Sequence, residues 1–268
     1  MMNKKQTQRL LSVLAVVAGF VFLILLWWMI SAILESQGNH LCPDPWVTFG
    51  RLFMMLFGGY ETKNTYLAIG WTFLRLLIGF ISSFIVASIL GIIAGLHRYF
   101  EKFMKPIITF CRTVPTAAVV LILAGIFLNI KGLPSYIPCF LVFLVAFPVI
   151  YQAYVDGIHN EDQLIKDAAQ LDIGYKSISS VTNVIVPDIA PYILLSIVQS
   201  LGLSMKVSIM SEIVTASSES TLGIGSMIAH AKNYELDMVA ILAYSLLAII
   251  IIALIDIPLQ YIKKKIKK

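Results

Sequence analysis

Between Ile189 and Val214 the chain is apolar enough to sit in lipid, yet it carries Lys206 and Glu212. Ser196, Ser200, Ser204, Ser208 and Glu212 recur every four residues. Each step turns a helix by about 400°, so the five form a slowly drifting polar stripe. Ionisable groups at bilayer depth are costly and mark functional positions by default. Serines alone more often mean helix packing and interhelical hydrogen bonds. A serine stripe that ends in a carboxylate points to a polar path instead. Lys206 and Glu212 are six residues apart, on different faces, and are not expected to pair. Arg112, near the start of another apolar run, supplies a further cation that either lines the mouth of such a path or snorkels to headgroups.

Other chemistry is poorly supported. His40, His97, His159 and His230 are scattered without metal-ligand spacing, so no metal is expected. Asp162, Asp167 and Asp172 are five apart and fan around a helix, which argues against a membrane enzyme that uses clustered aspartates on a lipid phosphate. No G-x-x-x-x-G-K-[ST] phosphate loop occurs, so this chain is not expected to bind and hydrolyse ATP by that route. Cys42, Cys111 and Cys139 are too few for a disulfide framework.

The elements that must hold these residues are membrane spans. Of 268 residues, 59% are hydrophobic and 13% charged, against about 45–50% and 25% in soluble domains. Mean hydropathy is +0.86. This composition excludes a soluble enzyme, a disordered chain and a nucleic-acid-binding domain. Spans of about 20 apolar residues are predicted within 10–34, 67–96, 106–129, 134–155, 189–214 and 238–262. The fold class is therefore all-α, with six transmembrane helices. With the N-terminus inside, inner segments hold Lys4, Lys5, Arg9, Arg98, Lys102, Lys105, Lys166, Lys176 and the five lysines of 263–268. Outer segments hold only Arg51, Lys63, Lys131 and Lys232. This bias places both termini in the cytoplasm, and the lysine tail suits contact with membrane lipid. In the second span Gly79, Ser83, Ala87, Gly91 and Gly95 make a small-residue stripe, assigned to helix packing.

Two segments outside the spans are patterned. Pro43-Asp44-Pro45 precedes an apolar run from Trp46 to Leu56, read as a short helix lying at the interface or packed across the span tops. The inner loop 156–187 is long enough to be functional. Asn160 with Gln163 resembles a capping box, with Glu161 and Asp162 in the first turn. Leu164, Ala168 and Leu171, with Ile165 and Ala169 beside them, give an apolar face. Gly174 is a natural helix stop. A helix over 161–173 is predicted, then a second amphipathic segment over 176–186 that ends at Pro187. The chain divides into residues 1–66, the first span with the outer amphipathic segment, and residues 67–268, a five-helix core carrying the loop.

This loop resembles the EAA loop of ABC importer permeases, E-A-A-x-x-x-G-x9-I-x-L-P. Gly174, Val184, Val186 and Pro187 keep its spacing. Asp167-Ala168-Ala169 keeps its letters one residue early, while alignment on Gly174 puts the family Glu on Ala168 and its second Ala on Gln170. Pro43-Asp44-Pro45, Arg75, Arg112-Thr113-Val114-Pro115, and Glu212 followed by the Ser217–Leu222 loop and Gly223-Ile224-Gly225 are similar to the nitrate/sulfonate/taurine/bicarbonate-type branch. The resemblance runs from about Pro43 to the C-terminus. It implies a multi-pass permease subunit of a bacterial inner membrane that performs no chemistry and moves a small, anionic solute inward by alternating access. It implies a second copy of the chain, two cytoplasmic ATPase subunits that bind ATP and Mg, and an extracytoplasmic substrate-binding protein; nucleic acid has no role. Asp167, Ala168, Ala169, Gln170, Gly174 and Pro187 then fall at the ATPase coupling, and Ser196, Ser200, Ser204, Ser208, Glu212, Arg112 and Lys206 along the translocation path. An ion-coupled secondary transporter is the rival, but no inverted repeat is visible.

Overall fold

The computed structural model describes residues 4–38, 41–59, 61–127, 130, 133–172, 174–216 and 222–266. Helices account for all regular structure among the described residues: α1 (Lys4–Ser36), α2 (Pro45–Phe57), α3 (Thr62–Leu96), α4 (Arg98–Thr113), α5 (Thr116–Phe127), α6 (Ile137–His159), α7 (Gln163–Asp172), α8 (Ile178–Ser180), α9 (Val186–Asp188), α10 (Ala190–Thr215), α11 (Ile224–His230) and α12 (Met238–Ile266). Five helices are long and apolar enough to cross a membrane, and α4 with α5 makes a bent sixth candidate.

That bent pair holds the expected span 106–129, which is broken at Val114 and begins earlier, at Arg98. α4 and α5 meet at 89°. Val114, which precedes Pro115, is extended at φ −64°, ψ 125°, because a proline ring disfavours the α conformation in the residue before it. Pro106 lies inside α4 without ending it. At about 1.5 Å per residue, the 12 residues of α5 reach only about 18 Å. Even so, the pair must return the chain across the membrane, because α3 and α6 run parallel. Gly79 lies against Cys139 and Val142, Gly91 against Tyr151 and Tyr154, and Gly95 against Ile158. A Cβ on Gly79 would stand 2.4 Å from the Cys139 carbonyl oxygen, so the small-residue stripe is the surface on which α6 seats. This contact, with α6 against α10, forms the centre of the bundle.

α2 combines the two readings of its sequence. Asp44 caps it by accepting from the Trp46 N–H at 2.7 Å, and Pro45 sits in the first turn. Thr48, Leu52 and Met55 are buried, while Trp46, Phe53 and Phe57 are exposed. α2 packs on α12 and α3. α1 is mostly exposed and is tied to the rest near its end: the Trp27 indole donates to the Pro43 carbonyl at 3.2 Å, and the Ser31 hydroxyl to that of Cys42 at 2.8 Å.

The inner loop departs from expectation in detail. Asn160 closes α6 instead of opening α7, its N–H donating to the Asp156 carbonyl at 3.0 Å. Asp162 caps α7 by accepting from the Leu164 N–H at 3.0 Å. Glu161 is not in the first turn; it is buried and accepts from the Tyr175 hydroxyl. Pro187 does not terminate the second segment, which continues as a π turn at Val181–Ile185 and α9 up to a break at Ile189. Ile173 and residues 217–221 of the expected Ser217–Leu222 loop lie outside the described residues, as do the side chains of Ala168, Ala169 and Leu171.

Candidate functional site

Three helices meet around the Glu212 carboxylate near the end of α10. One oxygen accepts from an Arg75 guanidinium N–H at 2.8 Å. The other accepts from the Thr72 hydroxyl at 2.8 Å and the Gly225 N–H at 3.1 Å. Thr72 in turn accepts from the Ile224 N–H at 2.9 Å, and the same Arg75 nitrogen also donates to the Leu222 carbonyl. Glu212 is 1% exposed and Arg75 6%. Thr72 and Arg75 lie one turn apart on α3, so one helix face presents both donors. Gly223 and Gly225 let the start of α11 close over the carboxylate. A Cβ on Gly223 would stand 2.6 Å from the carboxylate carbon, and one on Gly225 would stand 2.3 Å from the Ile209 carbonyl oxygen.

The arrangement neutralises charge and locks helices. Buried unlike charges persist only when paired and hydrogen-bonded. Here the carboxylate has three donors, and α3, α10 and α11 are joined at one point. Arg75 also faces a cavity of about 410 Å³, walled by Trp71, Ile78, Tyr136 and Cys139. Its guanidinium carbon lies 5.8 Å from the centre of the Trp71 ring. Glu212 does not line this cavity, so the space meets the cation and the aromatic walls, with the carboxylate behind.

The expected stripe is divided by the structure. Ser196, Ser200, Ser204 and Ser208 are buried within the helix packing of the chain, not on an open face. Ser196 and Ser200 donate to α10 carbonyls at 2.8 and 2.6 Å. Lys206 is exposed and makes no ion pair with Glu212 among the described residues. Arg112 lies in the last turn of α4, at the bend and exposed, and lines a different cavity from Arg75. Arg75 as ion partner and Thr72 as second donor were not foreseen. The available signal was that charges inside a membrane usually pair with one another: Glu212 needed a cation, Lys206 was on the wrong face, and Arg75 stood in another span.

At the other end, α7 forms a closed unit with its flanks. The Glu161–Tyr175 hydrogen bond joins the residues just before and just after the helix. Burial and the Glu161 carboxylate push the Tyr175 phenol above its ordinary value. Gly174 has φ +81°, a conformation that a side chain makes strained. The Gln170 side chain accepts from the Tyr175 N–H at 3.2 Å and ties the turn to the helix. Asp167 is exposed and accepts from the Gln163 amide at 2.9 Å. Leu164 (75%) and Ile178 (84%) are strongly exposed. Among the described residues no group of acidic, histidine or cysteine side chains is arranged to hold a metal.

Comparison with known proteins places these features in a family. Residues 87–268 match the family described as binding-protein-dependent transport system inner membrane component. The chain is 27% identical over 208 residues to a probable ABC transporter permease of Brucella melitensis, covering 78% of each protein. It is 27% identical over 250 residues to a bicarbonate transport system permease of Synechococcus elongatus, covering 90% of this chain and 86% of the relative. It is 29% identical over 161 residues to a putative aliphatic sulfonates transport permease of Bacillus subtilis, covering 60% and 55%.

Proposed function

Because the chain belongs to the family of binding-protein-dependent transport system inner membrane components, and is thus a multi-pass protein of the bacterial inner membrane, we propose that it is the permease subunit of an ATP-driven importer of a small organic or inorganic oxyanion. The observation that carries this reading is the α7 unit. A short helix is stapled at both ends, turned by Gly174, and flanked by exposed Leu164 and Ile178. It is a knob with apolar contacts to offer, in a chain that lacks a G-x-x-x-x-G-K-[ST] phosphate loop. Two ATPase subunits, which bind ATP and Mg, dock on this knob in two copies of the chain, and a binding protein delivers solute to the opposite face. α7 stands on the cytoplasmic side, with both termini. Closure of the ATPases moves the α7 units as rigid bodies, and the bundle opens by alternating access. Asp167 and Gln170, exposed on the knob, supply polar contacts to the ATPase.

The solute class follows from the cavity at Arg75. An anion entering it meets guanidinium N–H groups and ring edges, and is shielded from Glu212 by the cation itself. Relatives named for aliphatic sulfonates and for bicarbonate fit that chemistry. The path runs past Arg75 and the end of α10 that bears Glu212, with the serine stripe as the seam along which α10 shifts.

The test is reconstitution of the permease with its ATPase and binding protein in proteoliposomes. Uptake of the binding protein's ligand should require ATP and stop with Gly174→Val, while the variant still inserts in the membrane. Uptake driven by an ion gradient without ATP would overturn the proposal in favour of a secondary transporter.

A further inference from the structure

A second cavity, of about 290 Å³, lies between α4 and α6 near the α7 end of the bundle, on the far side from Arg75. Glu101, Lys105, Thr109 and Arg112 line it from one face of α4, and Tyr151 and Gln152 from α6. Tyr151 is 3% exposed, and its hydroxyl has no hydrogen-bond partner. A buried polar group is almost always satisfied, so this one asks for a partner that occupies the cavity. Lys105 and Arg112 form no ion pair among the described residues. Glu101 lies 3.6 Å from His159 and keeps its place in the cavity wall. The Gln152 amide donates to Asp156 at 2.8 Å. The Thr109 hydroxyl already donates to the Lys105 carbonyl at 2.8 Å, so the donors left to the space are the two cations and the orphaned phenol, with the Glu101 carboxylate also in the wall.

We propose that this cavity binds a tetrahedral oxyanion, a phosphate, sulfate or sulfonate group held between Lys105 and Arg112 and receiving a hydrogen bond from the Tyr151 hydroxyl. Guanidinium and ammonium donors suit such oxygens geometrically and electrostatically. Two sources carry that group: the headgroup of an anionic phospholipid, which basic pockets between spans are suited to hold, and a free oxyanion in water. The site stands on its own geometry and does not depend on the import reading.

The test uses the intact protein purified in neutral detergent. In one arm, dioleoylphosphatidylglycerol is titrated in and retained lipid is counted by native mass spectrometry. In the other, melting is compared in sodium sulfate and in sodium chloride of equal ionic strength. Wild type is run beside Lys105→Gln, Arg112→Gln and Tyr151→Phe, so that general salt effects cancel. Each charge removal should weaken binding by about tenfold or more. Tyr151→Phe should weaken it by about two- to tenfold with no fall in the ligand-free melting temperature, because its hydroxyl gives up no internal bond. Loss confined to the lipid arm identifies a headgroup site, and loss confined to the sulfate arm a site for a free oxyanion. Equal behaviour of wild type and all three variants in both arms would overturn the proposal. So would a Tyr151→Phe protein that melts lower without ligand and binds unchanged.

Discussion

Replacement of Glu212 by Gln is the sharpest perturbation of the helix junction, since it keeps the shape and removes the charge. The two carboxylate oxygens serve three donors: Arg75 at one, Thr72 and the Gly225 N–H at the other. An amide has one oxygen. If its NH2 takes the first position it faces the Arg75 guanidinium; if it takes the second it faces the Gly225 N–H. Thr72 cannot relieve this by rotation alone, because its oxygen also accepts from the Ile224 N–H at 2.9 Å. Either orientation opposes donor to donor and leaves Arg75 charged, 6% exposed, and supported by the Leu222 carbonyl. Breaking a buried pair in this way costs about 3–5 kcal/mol. At roughly 2–4 °C per kcal/mol for soluble domains of similar size, the melting temperature should fall on the order of 10 °C. Arg75→Met should cost a similar amount. The double variant Arg75→Met/Glu212→Gln should cost clearly less than the sum, because it leaves no lone charge. The assay is thermal melting in detergent, followed by fluorescence-detected gel filtration. High salt should leave the wild-type value little changed, since a buried pair is poorly screened. A Glu212→Gln protein that melts within about 2 °C of wild type, or strict additivity in the double variant, would refute the reasoning.

Three further outcomes follow from the same geometry. Gly225→Ala should destabilise the junction at least as much as Glu212→Gln, because its Cβ would stand 2.3 Å from the Ile209 carbonyl oxygen and 2.6 Å from the Glu212 Cβ; melting near the wild-type value would show that α11 can retreat freely. Gly174→Val, forced toward φ +81°, should strain the turn by roughly 1–3 kcal/mol and reduce ATPase co-purification while membrane levels stay normal; undiminished co-purification would separate the turn from docking. Single cysteines at Ser200, Ser204 and Ser208, in a background lacking Cys42, Cys111 and Cys139, should resist a water-soluble thiol reagent in the resting state, because all three positions are fully buried and labelling needs thiolate and water; rapid labelling there would place water along the stripe.

What the sequence revealed, and what it hid, divides along the range of the interactions. The spans, the stop at Gly174 and the packing stripe from Gly79 to Gly95 depend on neighbours within a few turns, and each was legible from spacing alone. The bend at Val114 was local too, carried by Pro115, but six apolar spans could be counted without it. The errors at α7 are of the same scale: Asn160 and Asp162 are both good caps, and the choice between them turned on the end of α6, which reaches His159. The functional junction is different in kind. Thr72, Arg75, Glu212 and Gly225 are brought together from three helices across as many as 153 positions of sequence, and spacing holds no information about such distances. Chemistry does hold some. A carboxylate in a span demands a cation, and Arg75 was the candidate from a different span whose partner was missing. Read in that way, the serine stripe on α10 and its terminal Glu212 have separate roles: the serines allow close packing along the helix, and the carboxylate anchors its end to α3 and α11. A buried anchor at the Arg75 cavity and a stapled knob at α7 thus stand at opposite ends of the closely packed parallel helices α3 and α6.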